Sequence, residues 1–292
     1  LDRRWIDVQH YYERGGMANL QTKRGCHYKC TYCAYPVIEG KGMRTRDPAA
    51  IAAEVRTLLD EHGVDQFFIV DSVFNAPRGH AEAVCDALAP LGKRIRWSCF
   101  VAPGGNFSAA LLDRMLAAGC QSLDFGTDAA APATLRAFRK HFNVDDVREA
   151  SRLCRERGVP FQHSLVFGGE GETWDTVAET IAVMDECRPT AVSAMCGVRV
   201  YPETPFAAQL LARGEVPSVE ALYAPYFWFA PAVREGLAER VREAAAARGN
   251  WLLPGSKVND EERLFARLRG RGLKGDLWRY LTRLRLGRAL AG

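Results

Sequence analysis

This sequence lacks the marks of a membrane, secreted or strongly charged protein. No apolar run in its 292 residues approaches the roughly 20 that a spanning helix needs. The N-terminus lacks the basic, apolar and small-residue regions of a signal peptide. The net charge is only +4, which does not require nucleic acid as a partner. We therefore expect a soluble, cytoplasmic globular protein that binds no nucleic acid.

Most of the cysteines have neither disulfide nor metal-site spacing. The chain has nine cysteines, which is an odd number. Hydrophobic residues make up 48% of the sequence. Six of them stand alone in apolar stretches and are predicted to be reduced packing residues: Cys85, Cys99, Cys120, Cys154, Cys187 and Cys196. A disulfide-stapled fold is therefore not expected, and the hydrophobic fraction is sufficient for a large buried core.

The other three cysteines lie together and lack a fourth ligand. Cys26, Cys30 and Cys33 form a C-x3-C-x2-C pattern. Structural zinc sites close with four protein ligands and most ferredoxin-type clusters use four cysteines, so three cysteines suggest an iron–sulfur cluster with one open iron. Zinc is the alternative. It would need His27, which is adjacent to Cys26 and cannot easily join the same tetrahedron, or the more distant His10.

Alternating strand and helix patterns indicate an α/β fold. Buried strands are predicted at 19–23, 66–71, 94–101, 122–126, 161–167 and 191–200. Helices are predicted between them at 48–59, 81–88, 109–118, 145–157 and 174–184. Six βα units are fewer than the eight of a closed barrel, so we predict a partial (β/α)6 TIM-type barrel, with an open α/β sheet as the alternative. In both folds ligands bind at the carboxyl ends of the strands, where the cysteine loop falls.

The chain is predicted to have three parts. Residues 1–16 read as a linker or the remnant of a missing N-terminal domain, since the sequence does not start with methionine. Residues 17–215 carry the βα pattern of the barrel domain. Residues 216–292 are expected to be a helical C-terminal extension, with an alanine-rich helix at 232–248 and an arginine-flanked apolar stripe at 277–290. That stripe is more typical of a solvated surface helix than of a peripheral membrane contact.

The cysteine loop resembles that of a known superfamily. Tyr32 stands just before the last cysteine, and the loop follows the first strand of a six-unit βα pattern. This arrangement is similar to the radical S-adenosylmethionine (radical SAM) superfamily. The resemblance implies that Cys26, Cys30 and Cys33 bind a four-iron four-sulfur cluster, whose open iron is chelated by SAM beside Tyr32. It implies reductive cleavage of SAM to methionine and a 5'-deoxyadenosyl radical.

Two further motifs follow strand ends, as SAM-contacting motifs do in the superfamily. The resemblance assigns Asp71 and Ser72 to the amino group of SAM, which a carboxylate can bind by a charge-assisted hydrogen bond. It assigns Thr127 and Asp128 to the ribose or methionine part, although many relatives carry Glu-Ser or Gln-Ser there. The alternatives are a helix cap or turn at the first pair, and a cap for the helix near Pro132 at the second.

The last two motifs come from strands five and six. Gly168 and Gly169 resemble the glycine-rich segment whose backbone approaches adenine, with Glu170 in place of the usual proline. Arg199 begins a run similar to the R-x-Y-P-G-T-P of the cobalamin-dependent, anaerobic cyclase-like branch. It is expected to pair with the SAM carboxylate or a substrate acid, or else with a buried acid of the protein.

Two histidines stay unassigned by sequence, and three functions stay open. His163 and His141 are each compatible with a structural or a catalytic role. The first function is SAM-dependent methyl transfer to an unactivated carbon in a natural-product, lipid or cofactor pathway. The second is cobalamin-independent radical chemistry: hydrogen abstraction, rearrangement or transfer of another SAM-derived group. The third is a non-catalytic metal-binding docking module.

The resemblance also implies partners. These are a small-molecule substrate and a low-potential electron donor such as flavodoxin or ferredoxin. Members of the branch usually carry a cobalamin-binding domain of on the order of 100 residues or more, whereas 25 residues precede Cys26. Cobalamin is therefore expected, if at all, from a domain or subunit outside this sequence.

Overall fold

The computed structural model describes residues 5–253 and 266–280. The strands are β1 (Ala18–Leu20), β2 (Lys23–Arg24), β3 (Arg44–Thr45), β4 (Gln66–Ile69), β5 (Arg96–Val101), β6 (Cys120–Asp128), β7 (Phe161–Phe167), β8 (Ala191–Cys196), β9 (Val198–Arg199), β10 (Phe227–Trp228) and β11 (Trp251–Leu252). The helices are α1 (Val8–Glu13), α2 (Tyr35–Ile38), α3 (Pro48–His62), α4 (Arg78–Leu88), α5 (Ala109–Ala117), α6 (Pro132–Ala137), α7 (Val144–Glu156), α8 (Trp174–Cys187), α9 (Pro205–Ala212) and α10 (Leu237–Ala246).

The main sheet has seven parallel strands in the order β1, β4, β5, β6, β7, β8, β11. Each strand lies beside the next one along the chain, as in a (β/α) barrel, whereas a doubly wound sheet reverses its order at a switch point. Within the described residues β1 and β11 do not pair with each other, so the barrel is open. The predicted α/β partial barrel is confirmed.

The sheet has one strand more than the sequence predicted. Each of the six predicted strands overlaps a strand of the main sheet, although the ranges 19–23 and 191–200 run past the ends of β1 and β8. The additional strand, β11, lies within the segment expected to be helical and pairs Trp251 with Val192. Two residues are too short for an alternation pattern to reveal. Trp251 is buried and stacks on Phe167 with ring centroids 6.2 Å apart. The part of the chain after 216 therefore contributes to the barrel sheet as well as forming α10.

Helix ends follow local sequence signals. Asp47 caps α3 by accepting hydrogen bonds from the amides of Ala49 and Ala50, and Pro48 occupies the first turn. Gly63 ends the helix with φ +64°, a left-handed conformation that glycine adopts without strain. The side chains of Ile51 and Val55 on α3 join the hydrophobic core between helices and sheet.

The two faces of the strands differ in chemistry. On β6, Leu123 and Phe125 point outward into the core beneath the helices. Ser122 and Asp124 alternate with them and therefore face the barrel interior. The polar interior face leaves room for ligands, while the apolar outer face holds the sheet to its helices.

The segment 266–280 closes the amino end of the barrel. Asp276 is buried and accepts hydrogen bonds from Ser98 on β5, at 3.1 Å, and from Ser122 on β6. Gly275, at φ +87°, lies so close to Gln66 that a Cβ atom would be 2.5 Å from its Nε2. The predicted stripe at 277–290 lies outside the described residues beyond 280. None of the described helices is both long and apolar enough to cross a bilayer.

Candidate active site

The cysteine loop leaves β1 and folds back tightly on the chain that follows it. Gly25 has φ +90°, and a Cβ atom there would overlap the carbonyl oxygen of Gly42. The amide of Cys26 donates to the Gly40 carbonyl at 3.1 Å. Farther along, Thr31 donates to the Phe138 carbonyl at 3.1 Å and accepts from the Phe206 amide at 2.9 Å. Hydrogen bonds thus hold the loop both to the chain that directly follows it and to Phe138 and Phe206 farther along the sequence.

The three thiols meet the chemical requirements of cluster ligands. Cys26 is buried, Cys30 and Cys33 are half-buried, and all three are free. Burial raises the pKa of Cys33 to about 11. Burial also raises the pKa of Cys30, while the charge of Lys140 opposes that rise. The raised pKa values mean that burial disfavours the thiolate form. A bound metal cation would offset this effect, because it binds thiolates.

A cavity of about 430 Å³ opens beside the thiols and is lined in part by Cys30 and Cys33. No three His, Cys, Asp or Glu side chains within 5–253 and 266–280 converge on a single metal position. Thiolates of a four-iron cluster each bind a different iron, so convergence on one point is not required. The donor set and the cavity fit a cluster. His27, the zinc alternative, instead has its Nδ1 3.4 Å from Met43 Sδ.

The carboxylate of Asp71 binds the residues that lead into the cysteine loop. It is fully buried and accepts hydrogen bonds from the Thr22 amide at 2.8 Å, the Thr22 hydroxyl and the Lys23 amide at 3.2 Å. Lys23 Nζ lies 3.8 Å from its Oδ2. The Ser72 hydroxyl next to it donates to the Gly25 carbonyl at 3.4 Å. These contacts give Asp71 a structural task that the sequence reading did not foresee.

Asp128 lies at the centre of a polar group beside the cluster site. It has φ +63° at the end of β6, and its carboxylate accepts a hydrogen bond from Tyr32 and pairs with Lys140. Lys140 Nζ also donates to the Gly126 carbonyl at 3.0 Å. Burial and the Asp128 charge raise the pKa of Tyr32 well above its usual value. Tyr32 and Asp128, predicted from different motifs, are therefore neighbours.

Sequence reasoning missed Lys140. It lies in the connection between α6 and α7, with no strand end or motif around it. Its side chain is 6% exposed, and it lies over the rings of Tyr32 and Phe142 at 5.7 and 5.5 Å from their centroids. A lysine in a helix–helix connection normally reads as a surface charge, so no local signal distinguished it.

Thr127 faces away from the barrel interior. Its Oγ1 lies 2.6 Å from Nδ1 of His163, whose Nε2 lies 2.9 Å from Ser151 Oγ on α7. Burial lowers the pKa of His163 to about 3, so the ring is neutral. The open question about His163 is thus answered by geometry: it is a buried, fully hydrogen-bonded residue under the helices. His141 stacks on Tyr28 in the cysteine loop, with centroids 3.5 Å apart.

The glycine-rich segment is organised by Glu172. Its buried carboxyl accepts hydrogen bonds from the amides of Gly168 and of Gly169, the latter at 3.2 Å. Burial raises the pKa of Glu172 to about 7, against the effect of these amides. Gly169 packs directly under the ring of Phe138, where a Cβ atom would overlap the ring. The close approach that requires this glycine is therefore to Phe138, which in turn contacts Tyr32.

Arg199 lies apart from these groups on the β9–β10 pair. It pairs in register with Phe227 and donates to the Ala224 carbonyl at 2.8 Å. Its guanidinium lies 5.3 Å from the ring of Tyr201 and 5.8 Å from that of Phe227. Among the described residues Arg199 contacts the Ala224 carbonyl and the two rings and forms no ion pair with a carboxylate.

The comparisons with known proteins agree with this geometry. A profile of the Radical SAM superfamily matches residues 20–184, which include the cysteine loop, Asp128 and the glycine-rich segment. The chain belongs to the radical SAM superfamily. Its similarities in both sequence and structure include proteins of the cobalamin-dependent branch of that superfamily.

Individual relatives are longer than this chain. The tryptophan 2-C-methyltransferase of Streptomyces laurentii is 27% identical over 213 residues, 68% of this chain and 35% of the relative. The anaerobic magnesium-protoporphyrin IX monomethyl ester cyclase of Cereibacter sphaeroides is 28% identical over 169 residues, 57% and 28% of the two chains. The chain therefore spans about a third of the length of these relatives.

Solved structures show the same fold. The radical SAM methyltransferase TsrM of Kitasatospora setae, with cobalamin and a 4Fe-4S cluster bound, superimposes with a TM-score of 0.84 at 22% identity. The match covers 98% of this chain and 63% of that one. The cobalamin-dependent radical enzyme OxsB superimposes with a TM-score of 0.64 at 13% identity, over 90% and 47% of the two chains.

Proposed function

We propose that this chain is the catalytic radical SAM part of a SAM-dependent methyltransferase. The observation that carries the proposal is the set of three free thiols on one fixed loop beside a cavity, with the buried Lys140 next to them. A four-iron four-sulfur cluster bound there would supply the electron for reductive cleavage of SAM. Cys26, Cys30 and Cys33 would hold it.

The remaining site residues support that centre in different ways. Asp71 fixes the first turn of the cysteine loop through Thr22 and Lys23. Asp128, Lys140 and Tyr32 form a rigid charged group at the carboxyl end of β6. Ser72 and the backbone surface at Gly168 and Gly169, whose amides already bind Glu172, are the groups we assign to contact SAM, with Arg199 at the outer rim for a carboxylate. Thr127, bound to His163, contributes by positioning Asp128.

Methyl transfer to a small molecule is supported by the relatives. Two relatives named as methyltransferases act, by their names, on tryptophan and on cytidylyl-2-hydroxyethylphosphonate. We extend to this chain only the transfer of a methyl group to a carbon of a small substrate. Cobalamin is proposed to be supplied by a domain or subunit that packs on the barrel mouth, because cobalamin is present in the matching TsrM and OxsB structures.

We also propose the division of labour along the chain and its surroundings. Residues 17–215 carry the cofactor chemistry, and residues 216–292 form a C-terminal extension whose strand β11 adds to the barrel sheet. A low-potential flavodoxin or ferredoxin is the expected electron donor. The described cysteines are free thiols, which suits a reducing cytoplasm.

The test is anaerobic reconstitution of the full chain with iron and sulfide. We expect about four irons per chain, and formation of deoxyadenosine, S-adenosylhomocysteine or another SAM-derived product on reduction. Cys30→Ala should lose the intact cluster and all products. Cys85→Ala, which changes a buried packing cysteine, is the matched control and should keep both. Product formation unaffected by Cys30→Ala, or no product from the wild-type chain, contradicts the proposal.

A further inference from the structure

The barrel interior holds a polar floor that the proposed cofactor chemistry does not use. Asp124 and Gln162 are neighbours in register on β6 and β7, and both lie on the interior face. They stand one layer above Ser122, which binds Asp276 of the closing segment. Asp124 is 6% exposed and Gln162 is 8% exposed, so both are at least nine-tenths buried.

Each of these side chains has an oxygen without a hydrogen-bond donor. Asp124 Oδ1 and Gln162 Oε1 are buried and lack any partner among the described residues. Burial, and then the charge of Asp276, raise the pKa of Asp124 to about 8, while hydrogen bonding by Gln162 and Trp278 opposes the rise. Buried acceptors in folded proteins are nearly always satisfied, by protein, water or ligand. Because Asp124 and Gln162 are paired in register, both acceptors belong to neighbouring residues on the interior face of the sheet.

There is room above the pair, and one wall of that room is aromatic. Gly126 follows Asp124 on the same face, and a Cβ atom added there would meet nothing within 4 Å. Phe100 pairs in register with Asp124, and its ring lies 5.0 Å from that of Phe68 in an edge-on arrangement. Both rings are half-buried on the interior face. The space therefore combines an apolar wall with a polar floor, on which Asp124 Oδ1 and Gln162 Oε1 lack a donor and the side chain of Trp278 lies beside Asp124.

We propose that Asp124 and Gln162 bind the protonated amino group of the substrate, whose apolar body lies against Phe68 and Phe100. The inference rests on the proposed function and names the substrate class: a compound with a primary amine next to an aromatic or aliphatic body. An ammonium group offers three donors, enough for Asp124 Oδ1 and Gln162 Oε1 together. The nearby charge of Asp276 favours a cation over a neutral donor and excludes an anion.

The test uses the full chain, without reconstitution, and three matched probes in calorimetric titrations: 2-phenylethylammonium, 2-phenylethanol and 3-phenylpropionate. We expect the ammonium probe to bind, the alcohol to bind at least tenfold more weakly, and the carboxylate not to bind. Because an alkylammonium stays charged below about pH 10, its affinity should rise between pH 6.5 and 8.5 as Asp124 loses its proton. Asp124→Asn should weaken the ammonium probe about tenfold and abolish that rise.

Thr134 on α6 provides a control position away from the barrel interior. Thr134→Val removes a buried hydroxyl that also lacks a partner but lies on α6, outside the barrel, and should leave the titrations unchanged. If Asp124→Asn does not fold, Gln162→Met and the pH dependence of the wild-type chain provide the same test. Equal binding of the three probes, or no binding, overturns the inference. Absence of SAM-derived products from the wild-type chain would instead count against the proposed function alone.

Discussion

Lys140 places its ammonium group against the carboxylate of Asp128 and 5.7 Å from the ring centroid of Tyr32. The two charged side chains are 6% and 14% exposed, so the pair is largely removed from water. In the sequence Tyr32 lies between Cys30 and Cys33, whereas Lys140 comes more than a hundred residues later. Through Tyr32, which donates a hydrogen bond to Asp128, the ion pair connects the cysteine loop to the carboxyl end of β6.

Breaking this pair from one side should be costly. Lys140→Met leaves the Asp128 carboxylate buried without its cation, and we expect a loss of about 3 kcal/mol in the free energy of unfolding, measured with urea at pH 7. The double variant Lys140→Met with Asp128→Asn should recover a large part of that loss, because no uncompensated charge remains. A loss in the single variant below 1 kcal/mol, or no recovery in the double variant, would show that the pair is not buried as described.

Gly169 should not tolerate a side chain. A Cβ atom there overlaps the Phe138 ring, so Gly169→Ala should lower the free energy of unfolding by about 1–3 kcal/mol through overpacking. Phe138→Leu, combined with it, should restore part of the stability by making room. Gly79→Ala on α4 is the control: its Cβ meets nothing within 4 Å, and we expect a small gain. Equal effects at the two glycines would argue against the Phe138 contact.

Glu172 should make the fold less stable at high pH. Its pKa is raised by burial from 4.5 to about 7, so the folded state favours the protonated acid. The stability linked to this group is complete below pH 4.5 and is lost as the pH rises through 7, by about 3 kcal/mol at most. Glu172→Gln keeps an acceptor for the Gly168 and Gly169 amides and removes the charge. Its unfolding free energy should exceed that of the wild type at pH 8, and a lower value would contradict the assignment.

His163 should act in the opposite pH direction. Burial lowers its pKa from 6.5 to about 3, so the folded state binds the proton less well than the unfolded chain does. Stability linked to this group is complete above pH 6.5 and is lost as the pH falls toward 3. Following the ring resonances by nuclear magnetic resonance should show a neutral imidazole at pH 5. A titration midpoint near 6.5 in the folded protein would mean that the ring is not enclosed between Thr127 and Ser151.

The parts of the fold that the sequence predicted are those with short-range signals. Strands β5, β6 and β7 each carry several buried residues in a row, and α3 has both a capping aspartate and a terminal glycine. The cysteine loop is recognisable because its three cysteines lie within eight residues of one another. In these cases neighbouring residues determine the local structure, so the pattern can be read without knowing the fold.

What the sequence did not reveal depends on residues far apart in the chain. Lys140 lies beside Tyr32, which comes more than a hundred residues earlier in the chain, and β11 is too short to carry a pattern. Asp71 matched a ligand-contact motif by position, yet its carboxylate accepts hydrogen bonds from the amides of Thr22 and Lys23 across 49 and 48 residues, respectively. Hydrogen-bond partners at such separations follow from the sheet register, which no local pattern specifies.

The contact of Asp276 with Ser98 spans 178 residues. Loop closure over that separation comes late, since the entropy cost must be met before the contact contributes. During synthesis the strands β1 to β8 can assemble while the amino end of the barrel still admits water to Ser98 and Ser122. Ser98 and Ser122 become covered only after the segment 266–280 has been synthesised. We therefore expect enclosure of the barrel interior to follow the pairing of β1 to β8.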